Sequence, residues 1–444
     1  MQVIKWSIVA LAVSAATLQM ASASQQADSK GFIEDSTFNI LNRTFYFNRD
    51  FRNGGSNGAG TNQFKPASQR KGYREELAHG IMTFYESGFT QGTVGFGVDA
   101  YGFLGLKLDS GGGRTGTFLL PVEDDGEPGD AYGESGGVLK LRVSNTTLKF
   151  GEKQVENPVV ATGDARLLPQ TATGIFLNSD EIENLNIDAG HITSMNEFGS
   201  TNSDGELQIQ YAGDVGNTVD WVGGSYTATD ALSFSLFASE VEDTWHRYYG
   251  NANYNIPLGD MRALNFDFNI YRTLDDGKAL VGDINNTTWS LASKYAFGAH
   301  ALTLAFQKVN SDTGFDYIGF NAIYLANSVQ YSDFNAPREE SWQLRYDLDL
   351  ANYGVPGLSL MARYIRGDNI DGTKADPLSG FFDPAANNEK HWERDLEAKY
   401  VVQNGYAKDL SLRVRHAVHR GSSNQIDGDV NEVRVILEYP LSVL

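Results

Sequence analysis

Cysteine is absent from this chain of 444 residues, so no disulfide staples the fold and backbone pairing and side-chain packing must hold it. Histidine is scarce, at 7, which limits metal chemistry to a few positions. Beyond the N-terminus there is no run of ~18 consecutive apolar residues, and this excludes a transmembrane helix. A chain with this pattern crosses a membrane only as a closed barrel. Lysine and arginine are few, 35 against 56 acidic residues, and the formal net charge of -21 excludes nucleic-acid binding through a broad basic surface. No Pro/Ser-rich linker or abrupt compositional change divides the chain, which reads as one domain.

Glycine and aromatic residues are abundant: 47 Gly, 25 Phe and 21 Tyr suit many strands, tight turns and aromatic girdles, and suit long helices poorly. Residues 1–23 read as a secretory signal peptide, with Lys5 in a short basic start, an apolar stretch from Ile8 to Val13, and small Ala21, Ser22 and Ala23 before a cut at Ser24. The expected mature domain is therefore 24–444. The competing reading of the first stretch is an N-terminal membrane anchor, against which its short apolar run and cleavage-like site argue.

Period-two alternation recurs along the chain. Leu410, Leu412, Val414, His416 and Val418 alternate with Ser411, Arg413, Arg415, Ala417 and His419, and Val433, Val435, Leu437, Tyr439, Leu441 and Val443 with Arg434, Ile436, Glu438 and Ser442. The same holds for Leu302, Leu304 and Phe306 against Thr303 and Gln307, and for Leu396, Ala398, Tyr400 and Val402 against Glu397, Lys399 and Gln403. Between strands stand short turns such as Asp275-Asp276-Gly277, Phe297-Gly298-Ala299 and Ile256-Pro257-Leu258-Gly259, and long polar loops at 53–70, 110–137, 152–180 and 368–389. Short turns on one side and long loops on the other predict an all-β, antiparallel transmembrane barrel with strands of about 9–11 residues. At roughly 45 residues per hairpin and loop, the length accommodates near sixteen to eighteen strands.

Other motifs carry little chemistry. Gly133-Glu134-Ser135-Gly136-Gly137 fits G-x-S-x-G, yet a strand rather than a helix follows it, so it is no nucleophile elbow. The Gly-rich stretches 53–60 and 110–116 match no phosphate loop. His416 and His419 lie three apart on a strand, point to opposite faces, and cannot chelate one metal together. The acidic loops Glu123-Asp124-Asp125 and Asp427 to Asp429 read as solvated, since Glu432 stands where a calcium loop starting at Asp427 needs glycine. No cofactor, catalytic residue or metal ligand is expected.

The stretches 42–52 (NRTFYFNRDFR), 86–97 (ESGFTQGTVGFG), 162–169 (TGDARLLP), 328–335 (SVQYSDFN) and 438–444 (EYPLSVL) resemble the OprD family of outer-membrane porins from pseudomonads. The resemblance implies a barrel of eighteen strands, narrowed by an inward-folded third loop, that admits small carboxylates by diffusion. It further implies a basic ladder of Arg166, Lys399, Arg413, Arg415 and Arg434 along one wall. The alternation independently puts Lys399, Arg413, Arg415 and Arg434 on the face away from lipid. Opposite the ladder, the resemblance places a small electronegative group matching Ser328, Tyr331 and Asp333.

The expected partners are carboxylate solutes (amino acids, aromatic or cyclic acids, carbapenems), outer-membrane lipid and lipopolysaccharide, and the barrel-assembly machinery, in a monomer or loose homotrimer. The chain ends in Leu444 where many outer-membrane proteins end in phenylalanine, and the alternation puts Val443 on the apolar face. The rival readings are an outer-membrane barrel enzyme, protease or phospholipase, for which no nucleophile with a positioned histidine stands out, and a non-conducting adhesin or plugged structural barrel.

Overall fold

The structure, a computed structural model, describes residues 24–444, so the expected signal segment 1–23 lies outside the described residues. Along the first part of the wall run β1 (Thr37–Phe51), β2 (Tyr73–Glu86), β3 (Val94–Asp109), β4 (Ala131–Val143), β5 (Thr146–Lys153), β6 (Thr171–Ile182) and β7 (Leu185–Asn196). A two-stranded hairpin, β8 (Leu207–Ile209) and β9 (Gly213–Gly216), stands apart inside the next loop. The wall continues through β10 (Val219–Thr229), β11 (Leu232–Val241), β12 (Trp245–Gly259), β13 (Arg262–Asp275), β14 (Asn285–Phe297), β15 (His300–Val309) and β16 (Glu340–Asp349). It ends with β17 (Leu358–Asp371), β18 (Asn387–Val401), β19 (Ser411–Gly421) and β20 (Val430–Ser442).

Eighteen of these strands form one antiparallel sheet. It closes on itself where β20 pairs with β1, from Asn39 opposite Ser442 to Phe51 opposite Val430. Closure leaves no open edge, as lipid requires, because an unpaired N–H or C=O in hydrocarbon costs several kcal/mol.

The two faces are inverted relative to a soluble protein. On β15, Leu302 and Leu304 are 42% and 60% exposed while Gln307 is fully buried. On β16 and β18, Trp342, Leu344, Leu396 and Tyr400 lie outside, and Ser341, Gln343, Glu393 and Asp395 lie within. Greasy side chains therefore meet lipid and polar ones meet the lumen.

Several strands are longer than the predicted 9–11 residues, so the wall extends beyond the apolar band. Long loops gather at one end, and turns such as 144–145, 183–184 and 298–299 at the other. Asp275-Asp276-Gly277 is a correction to the sequence reading: Asp275 closes β13 and the next two residues open the loop 276–284 at the long-loop end. The loop expected at 110–137 ends at 130, because Gly133 to Gly137 lie within β4, where they form no elbow. Likewise β20 stops at Ser442, although Val443 N still donates to Phe38 O at 2.8 Å.

Three long loops turn inward. The loop 154–170 crosses the lumen: Pro158 O accepts from Tyr271 of β13 at 3.0 Å, while Arg166 O and Leu167 O accept from Arg43 of β1 at 2.9 and 3.2 Å. Gly80 of β2 permits this approach, since a Cβ there would stand 3.2–3.3 Å from Leu167 and Leu168. The loops 197–218 and 310–339 join it. Their Leu207, Ile209, Phe315 and Ile318 pack with Val159 and Val160 against Trp221, Tyr249 and Tyr271 of the wall.

Candidate solute pathway

Strands β18, β19, β20 and β1 form a charged stretch of the inner wall, and their register lays inward-facing residues in rows. Lys399 is opposite Arg413, and Arg413 opposite Ile436. In the next row toward the long loops, Glu397, Arg415, Arg434 and Phe47 follow one another. Beyond it come Asp395, Ala417, Glu432 and Arg49. Because every second residue of each strand faces inward, an R-x-R strand places two guanidinium groups in successive rows of one wall.

These cations are interleaved with carboxylates. Arg413 Nε and Arg415 Nε lie 3.5 and 3.1 Å from the two oxygens of Glu397. Arg434 Nε donates to Glu432 Oε1 at 2.6 Å, and Arg49 binds the other oxygen of the same buried carboxylate at 2.6 Å. Arg363 of β17 pairs with the buried Asp395 at 2.5 Å. Lys399 has no ion-pair partner among the described residues. Arg434 and Arg363 are thus held by hydrogen bonds along one edge of the guanidinium plane, while Arg413 and Arg415 are held near Glu397 by charge alone. Among the described residues, the Nη groups of Arg413 and Arg415 and Nη1 of Arg434 donate to no protein group.

Arg166 reaches the same place from the inward loop. Its Nε donates to Thr117 O and its Nη1 to Ala165 O, both at 2.9 Å. The rings of Phe47, Phe198 and Phe320 surround it at 5.5–5.9 Å, and the Arg434 guanidinium shares Phe47 at 5.0 Å. Burial, then the charges of Arg434 and Arg49, push the Arg166 guanidinium well below its ordinary value. An arginine keeps its proton regardless, so this cluster favours an incoming anion.

The structure brings Ser328 and Asp333 together: Ser328 Oγ donates to Asp333 Oδ1 at 2.5 Å, while Tyr317 and Tyr211 donate to Oδ2 at 2.7 and 3.0 Å. Burial pushes the Asp333 carboxyl up, against these three hydroxyl donors. Tyr331 departs from the expected position opposite the ladder. Its ring lies 4.6 Å under the Arg49 guanidinium, its N donates to Glu393 Oε1 at 3.0 Å, and its hydroxyl donates to Asp427 O. Neighbouring Gln330 O accepts from Arg434 Nη2 at 3.0 Å. The segment 328–333 is therefore tied to the basic wall, because its backbone and amide groups take up hydrogen bonds that the wall's charged side chains offer.

Sequence reasoning did not assign Arg43, Arg49 or Arg363 to the wall, although Arg43, Phe45, Phe47 and Arg49 have the required parity. It also missed the acidic partners Glu397 and Glu432. For metals, it set His416 against His419, and the strand does send them to opposite faces. The partner of His419 is instead His391, on the neighbouring strand, with their facing ring nitrogens 2.8 Å apart.

A closed antiparallel barrel with an apolar exterior, a charged lumen and an inward loop is a transmembrane pore of the outer-membrane kind. The sequence profile described as outer membrane porin, OprD family, matches residues 30–443. Porin D of Pseudomonas aeruginosa is 53% identical over the full length of both chains, and the porin-like protein GalP of Pseudomonas putida is 33% identical over 94% of this chain and 95% of its own. The crystal structure of Pseudomonas aeruginosa OprD superposes with a TM-score of 0.81 at 50% identity, covering 95% of this chain and 99% of that one. Pseudomonas aeruginosa OpdK, crystallised with vanillate, gives 0.81 at 32% identity over 93% and 100%. The chain belongs to the OprD family of outer-membrane porins. It is an integral protein of the bacterial outer membrane, and its relatives are porins, which are channels rather than enzymes.

Proposed function

We propose that this porin passes small carboxylate-bearing solutes by diffusion, and that Arg166, Arg434, Arg415, Arg413 and Lys399 hand the carboxylate from the long-loop side toward the short-turn side. The observation that carries this reading is the row of guanidinium groups on one wall, paired with Glu397 and Glu432, with Nη donors of Arg413, Arg415 and Arg434 unclaimed among the described residues. A pore narrow enough to select strips water from its permeant, and a planar donor fork replaces that water for a carboxylate better than a point charge does. One such contact at ~4 Å with an effective dielectric near 20 contributes about 4 kcal/mol before desolvation.

A single deep site would retain the solute. The acids Glu397 and Glu432 offset part of each guanidinium's attraction, and several comparable shallow sites favour flux over capture. Ser328 and Asp333 then serve the ammonium end of an amino acid, while Tyr331, stacked on Arg49, borders both groups. Amino acids, aromatic or cyclic acids and carbapenems all carry the required carboxylate.

Liposome swelling with arginine, benzoate, vanillate and glucose tests this reading. Arg413→Ala and Arg415→Ala are expected to slow the carboxylates several-fold and leave glucose unchanged in folded barrels. Equal rates for wild type and both variants would remove the ladder's role.

A further inference from the structure

His391 and His419 form a buried pair, 2% and 0% exposed, that the solute pathway does not use. Their outer contacts fix the tautomers. His419 Nδ1 lies 2.6 Å from Gly428 O, a carbonyl that can only accept, so Nδ1 carries the proton and Nε2 is left with a lone pair. His391 Nε2 lies 2.6 Å from Glu339 Oε1 and donates to that carboxylate, so in the neutral ring the lone pair sits on Nδ1. Gln425 agrees with this assignment. Its Oε1 accepts from Asp427 N at 2.8 Å, which orients the amide, and its Nε2 donates to His391 Nδ1 and to Asp427 Oδ2, both at 3.0 Å.

With both rings neutral, the two lone pairs face each other across 2.8 Å, that of His391 Nδ1 shared with the Gln425 amide, and the Asp427 carboxylate lies 3.8 Å from His391 Nδ1. Neutral imidazoles repel in this arrangement, and a cation between them turns the repulsion into bonding. We propose that His391 Nδ1, His419 Nε2 and an Asp427 oxygen form a binding site for a divalent transition-metal ion of the zinc class.

Three observations support the assignment. The ligand atoms lie within 4.8 Å of one another. At metal–ligand bonds of about 2.0–2.1 Å, tetrahedral ligands stand about 3.3 Å apart, so the 2.8 Å and 3.8 Å separations from His391 bracket the required value, and Asp427, on its loop, closes the remaining distance to His419. The outer partners are also those a metal-bound imidazole uses: a carboxylate on one ring and a backbone carbonyl on the other, holding each lone pair toward the ion. Two nitrogens and one oxygen suit zinc, copper, nickel or cobalt better than calcium or magnesium. Asp427, whose side chain is 16% exposed, gives the ion its way in.

Such an ion would act on the constriction. Asp427 Oδ2 accepts from Ser332 Oγ at 2.6 Å, Asp427 O accepts from Tyr331, and Glu339 sits at the end of the same inward loop, where its Oε2 accepts from Ala336 N at 3.0 Å. The metal would rivet the loop 310–339 and the loop 422–429 to β18 and β19, so binding and barrel stability rise together.

The test uses detergent-purified, metal-stripped porin at neutral pH, titrated with Co²⁺ by absorbance and then with Zn²⁺ as competitor. One equivalent of Co²⁺ with a ligand-field band, displaced by Zn²⁺, is expected. His419→Gln and Asp427→Asn should each weaken it at least tenfold, whereas His416→Gln, on the outer face of the same strand, should not. Zn²⁺ should raise the Tm of wild type and not that of Asp427→Asn. Heat-modifiable gel mobility verifies that each barrel is folded, and the Asp427 variant, on a loop, serves if the strand variant does not assemble. A folded wild type that takes up no stoichiometric Co²⁺, as when a shared proton alone occupies the gap, overturns the proposal. So does binding that both variants leave unchanged. Solute uptake does not enter these readouts, so they stand apart from the ladder.

Discussion

Two halves of one lumen are built on opposite principles. Against β6 to β14 the inward loops form a largely aromatic mass, enclosing Arg247 and Asp316, in which Tyr271 is fully buried between Tyr249 and Phe315 with ring centroids 4.7 and 4.6 Å away. Against β18, β19, β20 and β1 the same interior holds arginines and carboxylates in rows. An eighteen-strand barrel left empty would be a wide hole. Filling one part with largely apolar contacts narrows it.

The largest expected effect comes from breaking the filled half. Tyr271→Ala removes a buried ring and its hydrogen bond to Pro158 O, a core truncation worth about 3–5 kcal/mol. The inward loops should loosen, single-channel conductance should rise several-fold, and glucose should enter liposomes nearly as fast as charged solutes. A variant with wild-type conductance would show that the apolar contacts do not set the bore.

Next is the acid shared by two arginines. Glu432→Gln leaves Arg49 and Arg434 without their buried counter-charge, at a cost of about 3–5 kcal/mol in stability. Thermal unfolding should fall in temperature, while anion-over-cation selectivity from reversal potentials should increase. Arg166→Ala is expected to act on function more than on stability, because its described hydrogen bonds go to carbonyl groups: roughly tenfold slower carboxylate uptake, or about 1.4 kcal/mol. The smallest effect is assigned to Asp333→Asn, which keeps the three hydroxyl contacts within reach. It should slow cationic amino acids a few-fold and leave benzoate unaffected in the same swelling assay, and equal slowing of both would remove the ammonium role.

Much of the wall was legible because each face of a strand meets a uniform solvent. Leu302 and Leu304 face lipid and Gln307 faces inward, as their parity requires, and Lys399, Arg413, Arg415 and Arg434 keep the parity assigned to them. Local patterns misled where a loop's direction mattered. Asp275-Asp276-Gly277 is turn-like in composition, yet it stands at the long-loop end, and Tyr331, expected across the pore, stacks on Arg49. Neither the crossing of loop 154–170 from Tyr271 to Arg43 nor the approach of Arg49 to Glu432 has a short-range signature, since these partners lie more than 100 residues apart, whereas Arg434 stands only two residues from Glu432.

Sequence by itself determined the class of solvent on each side of the sheet, because alternation is a local property of a pleated strand and the hydrophobic effect acts on each side chain separately. Tertiary structure alone decided which charges became neighbours. Register around a closed barrel sets Arg415 between Glu397 and Arg434, and the inward path of the loops decides which stretches of the wall they cover. Both depend on pairings between distant segments, which no local run of residues encodes.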